Sequence, residues 1–504
     1  MKKNINFLFI LIILSALMAS CAKDKGNYDL QPIHEIVIAD FNESGNYEIL
    51  INDTLRINPD MKQENVQNGK YKYRWYVYSN NYDPAVELSS EKNLKKAITV
   101  PIGGYTLVFT ATDESTGIGT TKTANLIVSS KFSSGLVVLE EKGQGGDICQ
   151  ITFNGTVYRN LFSEANGGQF IPKPVGKLDG FYFKGGVAVQ KPINLFLTSE
   201  SRNPMELNPE NYKLNKPFSE FMAIPPSGNI NLQTIQQNGN SNAIYAIVNG
   251  KMQFGFPYEA TPIFEGALLG DYELAPFIIT STTGGRINLP NKTDLISYDQ
   301  KNGRFLWYSG FKIGEYNTYS KDMSTLGAFD PNNVRKKCVY AGYSNDYLYY
   351  NWLMKDDAGE MYFYQIYPVS TQKAGADYKA ITDAPEMKTA KIFAGSTKLP
   401  NIYFAAQNKV YSYDYKSNMT RLIYSFAAAD EITDMKFAVS RVSEFENFYM
   451  PLRTLDKIYI ATYNGTEGKV NEFEVSGTGS IGIATNIYGG FGRITSMFYK
   501  EKRQ

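Results

Sequence analysis

A relay of nucleophile, imidazole and carboxylate needs a histidine beside the nucleophile, and this 504-residue chain holds one, His34. That position lies near the start of the first folded segment, so a Ser-His-Asp or Cys-His relay is excluded from the larger C-terminal segment. A His-rich metal site is excluded with it. Cys149 and Cys338 have no neighbouring His to take a thiol proton. They read as small buried apolar residues, with one bridge between them as the alternative. No catalytic residue, metal ligand or cofactor is expected. Carboxylates pass this filter, because glycoside hydrolysis needs an acid and a base or nucleophile about 5 to 10 Å apart. The 50 acidic residues allow such a pair without singling one out. "MKDDAGE" around Asp356 and Asp357 lacks the ligand spacing of an EF-hand loop and reads as an exposed hairpin tip. "GQGG" at 143–146 has no Lys and no following helix, so it is an inter-strand turn and not a phosphate loop. Trp307 in "GRFLWYSG" and Trp352 in "YYNWLMKD" lie near strand ends. There an indole could stack on a sugar or dock a peptide side chain; packing between sheets is the competing reading of each.

The leader carries the other candidate chemistry. Lys2 and Lys3 precede an apolar run from Phe7 to Leu17, and Leu17-Met18-Ala19-Ser20-Cys21 looks like a bacterial lipobox. The thiol of Cys21 would then carry the lipid and residues 1–20 would be the lipoprotein signal peptide. An ordinary secretory signal cut near Cys21 is the alternative. The apolar run is too short to span a bilayer. Each buried methylene of an acyl chain contributes roughly 0.8 kcal/mol, so two or more chains hold a folded domain at the membrane almost permanently. Residues 21–30 would form the tether.

Composition fits an exported folded protein. With 43% hydrophobic residues, 20% charged residues and net charge +1, the chain can bury large cores and has no electrostatic bias toward nucleic acid. The expected fold is all-β: an Ig-like β-sandwich over 31–129, then a β-propeller over 134–504. In "YKYRWYVY" the set Tyr71, Tyr73, Trp75 and Val77 shares one face of a strand, and in "GYTLVFTATD" so do Tyr105, Leu107, Phe109 and Ala111. About a hundred residues of such strands, with one Trp on a middle strand, predict an immunoglobulin-type sandwich.

The remainder repeats. Short apolar cores recur at Leu136 to Leu139, Leu195 to Leu197, Ile244 to Ile247, Leu295 to Tyr298, Tyr347 to Tyr350, Ile402 to Phe404 and Ile458 to Ile460. Steps of about 49 to 59 residues, each holding several antiparallel strands, are the spacing of propeller blades, and seven are expected. A row of further sandwiches would need longer units with a Trp in each. Residues 208–226 are expected to hold a helical turn or two in an insertion between blades, limited by Pro217, Pro225 and Pro226. "SSKFSS" at 129–134 is expected to leave the two parts moderately free of each other.

The Trp-Tyr strand followed by "GYTLVFTATDESTG" resembles the PKD type of Ig-like fold. With "CAKDKGNYD" after the lipobox and the ending "YGGFGRITSMFYK", the chain is similar to the PKD-like family of Bacteroidetes lipoproteins. The resemblance implies a lipoprotein of the outer membrane, exposed at the cell surface. It implies a TonB-dependent transporter and its lid lipoprotein of the starch-utilisation type as partners, and an oligosaccharide or oligopeptide as ligand. A non-catalytic binding role is therefore expected. A propeller glycoside hydrolase or lyase using paired carboxylates is the alternative, and an architectural adhesin the third reading.

Overall fold

The computed structural model describes residues 35–39, 41, 45–63, 69–79, 84–182, 193–199, 202–237, 243–256, 263–280, 293–309, 312–315, 327–345, 348–368, 374–441 and 452–501. Cys21 and His34 lie outside them. No helix among the described residues is long and apolar enough to cross a membrane.

The first part pairs strands as the alternation predicts. A five-stranded sheet runs in the order Asn46–Leu50, Gly119–Ser129, Gly103–Asp113, Tyr71–Tyr78 and Val86–Ser89. Two short pairs cover it, Ile36–Ile38 with Met61–Gln63 and Thr54–Ile57 with Leu94–Ala97. Trp75, Val77, Leu107, Phe109 and Ala111 are buried in one core with Ile57 and Leu126. The Trp75 ring packs on Phe109 at 4.5 Å, and its N–H is shared between the carbonyls of Glu91 and Lys92. Trp75 is therefore a satisfied core residue.

From Gly135 onward the described residues build seven four-stranded antiparallel sheets in a propeller-like array. The seven apolar cores of the repeat fall on the second strand of each sheet, from Gly135–Lys142 to Leu452–Tyr463. In the fifth sheet that strand begins at Tyr350, and Tyr347 lies outside the described residues. These strands are buried on both faces, and alternation sends successive side chains to opposite neighbours. In the third sheet Ile244 and Ala246 pack toward the second, while Tyr245 and Ile247 pack toward the fourth. The same division recurs around the array. Tyr459 and Ala461 of the last sheet meet Leu136, Val138 and Met497 of the first, so the core closes on itself.

Two chain ends make that closure. Arg493–Lys500 is the inner strand of the first sheet and pairs with Gly135–Lys142. The inner strands are then stitched side chain to backbone. Met497 N–H donates to Asp434 Oδ2 at 2.7 Å, and Leu178 N–H to Ser496 Oγ at 3.3 Å. Lys177 donates to the Gln233 carbonyl, Thr280 Oγ1 to the Gln237 carbonyl at 3.3 Å, and the Tyr343 hydroxyl to the Thr280 carbonyl at 3.0 Å.

Burial holds the Asp434 carboxyl above the usual carboxylate range, against the opposing pull of Lys436 and of the backbone N–H groups of Met497 and Met435. The folded state thus keeps this proton longer than the unfolded chain. The stability tied to it is complete below the unfolded value of about 3.9 and is lost as pH rises through the higher folded value. Thermal melts of Asp434→Asn at a series of pH values are expected to lack this fall. Parallel profiles for the two proteins would show that Asp434 does not titrate as its burial requires.

The cysteines are small buried residues as expected, Cys149 in the first sheet and Cys338 in the fifth; both are free, so the alternative of a bridge falls. Burial pushes both thiols up, which makes them inert. Residues 208–226 are not an insertion, since Leu214–Pro217 is the outer strand of the second sheet and a single 3₁₀ turn, Phe218–Phe221, follows it. One short α-helix, Leu161–Ala165, lies instead after the first sheet.

The linker is also held, not free. Ser130 Oγ and Ser133 Oγ donate to Glu210 Oε2 at 2.6 and 2.7 Å. Gln150 Nε2 donates to the Ser134 carbonyl at 2.6 Å, and the buried Lys500 ammonium donates to the carbonyls of Phe132 and Pro209. A buried ammonium persists only with such acceptors. Replacing Ser130 and Ser133 with Ala is expected to cost about 1–2 kcal/mol locally. Limited proteolysis should then cut faster between residues 130 and 134; an unchanged rate would count against the clamp.

Candidate ligand-binding cleft

One face of the last sheet presents a grid of functional side chains. Cross-strand pairing sets Lys457 opposite Glu474, and Tyr459, Glu472 and Asn486 in one row; Tyr488 pairs with Val470 in a further row. Same-face neighbours on adjacent strands lie close enough to interact. The first sheet supplies the opposing wall through Leu136, Ile151, Phe153 and Tyr499. Between them is a cleft of about 450 Å³.

Its aromatic side is graded from buried to exposed. The Tyr459 and Tyr499 rings stack at 6.0 Å and form the floor, and Phe153 meets Tyr499 edge-on at 6.0 Å. Phe153 is 50% exposed at the rim. A pinned turn displays it: Gly155 takes φ +81°, which favours glycine, and Gly155 N–H donates to the Thr152 carbonyl at 2.9 Å. Asn154 Oδ1 accepts from Thr152 Oγ1 at 2.5 Å and from Thr156 N–H at 3.1 Å.

The polar side is an ion network. Lys457 Nζ lies 2.5 Å from Glu472 and 3.9 Å from Glu474, and the Tyr488 hydroxyl donates to Glu472 at 3.3 Å. Glu472 is buried, Glu474 is exposed, and Asp456 pairs with Lys398 at the edge. Burial, with Glu472 as a further cause, pushes the Tyr488 and Tyr499 phenols up to about 12. Both hydroxyls therefore keep their protons throughout the physiological range. Burial first, and then Glu472, moves Tyr459 in the same direction.

A second cleft of about 690 Å³ opens at the other ends of the inner strands, lined by Lys177, Thr198, Asn229, Asn231 and Gln233. Its Lys177 is already bonded to the Gln233 carbonyl and lies 3.5 Å from Asp179. No aromatic side chain lines it.

The two indoles singled out from sequence are not brought together with either cleft. Trp352 is fully buried between the fourth and fifth sheets, with Phe305 edge-on at 5.1 Å, and offers no face to a ligand. Trp307 is half-buried against the same core; its N–H donates to the Glu315 carbonyl at 3.1 Å, and Gly314 leaves the space beneath its ring. Asp356 lies in a hairpin turn, as expected, and accepts from Tyr362 and Glu360 N–H. No group of three or more metal-ligating side chains occurs among the described residues. Phe153 escaped the sequence reading. The available signal was an aromatic immediately before an Asn-Gly turn, in "TFNGT".

The sequence model of the PKD-like family matches residues 21–174. No curated protein matches. Among solved structures, the chain is similar to a quinonprotein alcohol dehydrogenase-like protein from Bacteroides thetaiotaomicron, with 12% identity and TM-score 0.41, covering 93% of this chain and 100% of that one. A structural-genomics protein of unknown function from Bacteroides thetaiotaomicron aligns at 11% identity and TM-score 0.30, over 85% and 96%. The β-propeller domain of Myceliophteria thermophila Cps50 (Swd1) aligns at 9% identity and TM-score 0.33, over 62% and 86%. Likeness at this level carries no activity over to this chain.

Proposed function

We propose that this chain is a non-catalytic lipoprotein of the outer membrane, held at the cell surface through Cys21, whose seven-bladed propeller binds an oligomeric nutrient. A TonB-dependent transporter and its lid lipoprotein are the partners in this reading. The lipobox-like leader and the PKD-like match support the placement. The observation that carries the binding role is the cleft between the last and first sheets, with Phe153 held out on a pinned turn beside fixed polar groups. A rigid exposed ring costs little ordering on binding.

Glu472 and Glu474, two residues apart on one strand, favour the glycosidase alternative. Against it, Lys457 bridges both carboxylates. In a glycosidase the scissile oxygen, and in the inverting case a water, lie between the two groups. Here an ammonium occupies that space.

Three measurements test the reading. Metabolic labelling with a fatty acid should mark the wild type and not Cys21→Ala. Gently solubilised membranes should yield the protein together with an outer-membrane transporter, and the purified protein should release no product from a glycan panel. Product release abolished by Glu472→Gln would establish the enzyme instead.

A further inference from the structure

We propose that the cleft between the last and first sheets takes a neutral oligosaccharide, one sugar ring lying against Phe153 and its hydroxyls meeting Glu474, Asn486 and the Tyr488 edge of the last sheet. The inference rests on the binding role proposed above and narrows its ligand to one class.

The chemistry of the walls supports this choice. A pyranose is amphiphilic, with C–H groups on its faces and hydroxyls around its rim. It therefore asks for an aromatic surface next to acceptors and donors, and not for an apolar pocket alone. Phe153 is the half-exposed ring, and Tyr459 and Tyr499 brace it from below. Glu474 and Asn486 are exposed beside it, and an ionised carboxylate accepts from two hydroxyls at once.

Charge selects against acidic sugars. Glu472, Glu474 and Asp456 stand against Lys457 and Lys398, three carboxylates to two ammoniums. A uronate or sulfated chain would add like charge to an acidic wall.

Geometry selects against an extended peptide. Such a ligand binds by adding a strand to an open sheet edge. The outer strand here, Asn486–Phe491, already has its edge groups taken near its end. Arg159 donates to the Gly489 and Gly490 carbonyls at 2.5 and 3.1 Å, Lys142 also donates to Gly490, and Gly490 N–H donates to Glu467 at 2.6 Å. Residues 486 to 488 alone are too short to anchor a peptide by strand addition.

Calorimetric titration of the full mature chain tests the proposal, using malto-, cello-, xylo- and mannohexaose, hexagalacturonate, and a pool of unmodified octapeptides. At least one neutral hexasaccharide should bind saturably, and hexagalacturonate and the peptides should not. Phe153→Ala and Glu474→Gln should each weaken that binding tenfold or more without changing the melting temperature. Peptide or galacturonate binding that is lost in Phe153→Ala would overturn the saccharide assignment and leave the binding role standing. Saccharide binding that both variants retain would overturn the assignment of the site. Binding of none of the probes would overturn the assignment and the binding role together.

Discussion

A chain ending at Gly492 is expected to lose the fold of its larger module altogether. The missing strand, Arg493–Lys500, is the inner strand of the first sheet and the neighbour of Gly135–Lys142. Its absence exposes the far edge of a strand buried on both faces, which is a template for aggregation. It also removes Ile494, Met497 and Tyr499 from the core shared by the last and first sheets, and breaks the Asp434 bond to Met497 N–H. Lys500 goes with it, leaving the carbonyls of Phe132 and Pro209 without that donor. Each of these losses alone is in the range of about 1–5 kcal/mol, and together they match the whole stability of an ordinary domain. Size-exclusion chromatography and thermal melts should show aggregate and no cooperative transition. Met497→Asp should fail in the same way by burying an uncompensated charge. A truncated monomer melting within a few degrees of the full chain would disprove closure by this strand.

Trp352→Ala should be among the most damaging single truncations of the larger module. The indole is fully buried and packs on Phe305 in the core between the fourth and fifth sheets, which also holds Tyr298, Met354 and Tyr364. Emptying such a site costs about 3–5 kcal/mol, because the surrounding sheets relax only in part. Its indole nitrogen has no hydrogen-bond partner in the described structure, so Trp352→Phe sacrifices no hydrogen bond, empties only the smaller part of the ring volume and should cost about 1–2 kcal/mol. Chemical denaturation should therefore rank Ala well below Phe and wild type. Ligand affinity of the folded fraction should be the same in all three, in contrast to Phe153→Ala, which should spare stability and remove binding. A Trp352→Ala protein of normal stability with lost binding would restore that indole to the ligand site.

The contrast between Trp352 and Phe153 shows where sequence reasoning reaches its limit. Both are aromatic residues that the sequence leaves near strand ends, and neither neighbour pattern tells that Trp352 lies in mid-strand while Phe153 faces water. Trp352 sits on a strand buried on both sides, where alternation assigns it to one neighbouring sheet or the other but never to solvent. Phe153 lies two residues past the end of its strand, Gly145–Ile151, on a turn that lifts it out of the core. Likewise, Leu214–Pro217 carries two residues that discourage regular structure, Asn215 and Pro217, yet it pairs as an outer strand. Edge positions tolerate proline because one row of backbone groups faces away from the sheet.

What the order of residues decides here is local. Period-two alternation around Trp75 and Phe109 is enough for the sandwich core, and a recurrent apolar run of three or four residues marks the second strand of sheet after sheet, because a strand between two neighbours must be apolar on both faces. The single His and the unactivated cysteines likewise limit the chemistry before any coordinates exist. Tertiary structure alone decides what joins residues from 63 to 368 positions apart: Lys500 on Phe132, Met497 on Asp434, and Phe153 on Tyr499 across the cleft from Glu472. Such contacts come from the accumulated twist and closure of the whole array, and no local pattern of side chains encodes that sum.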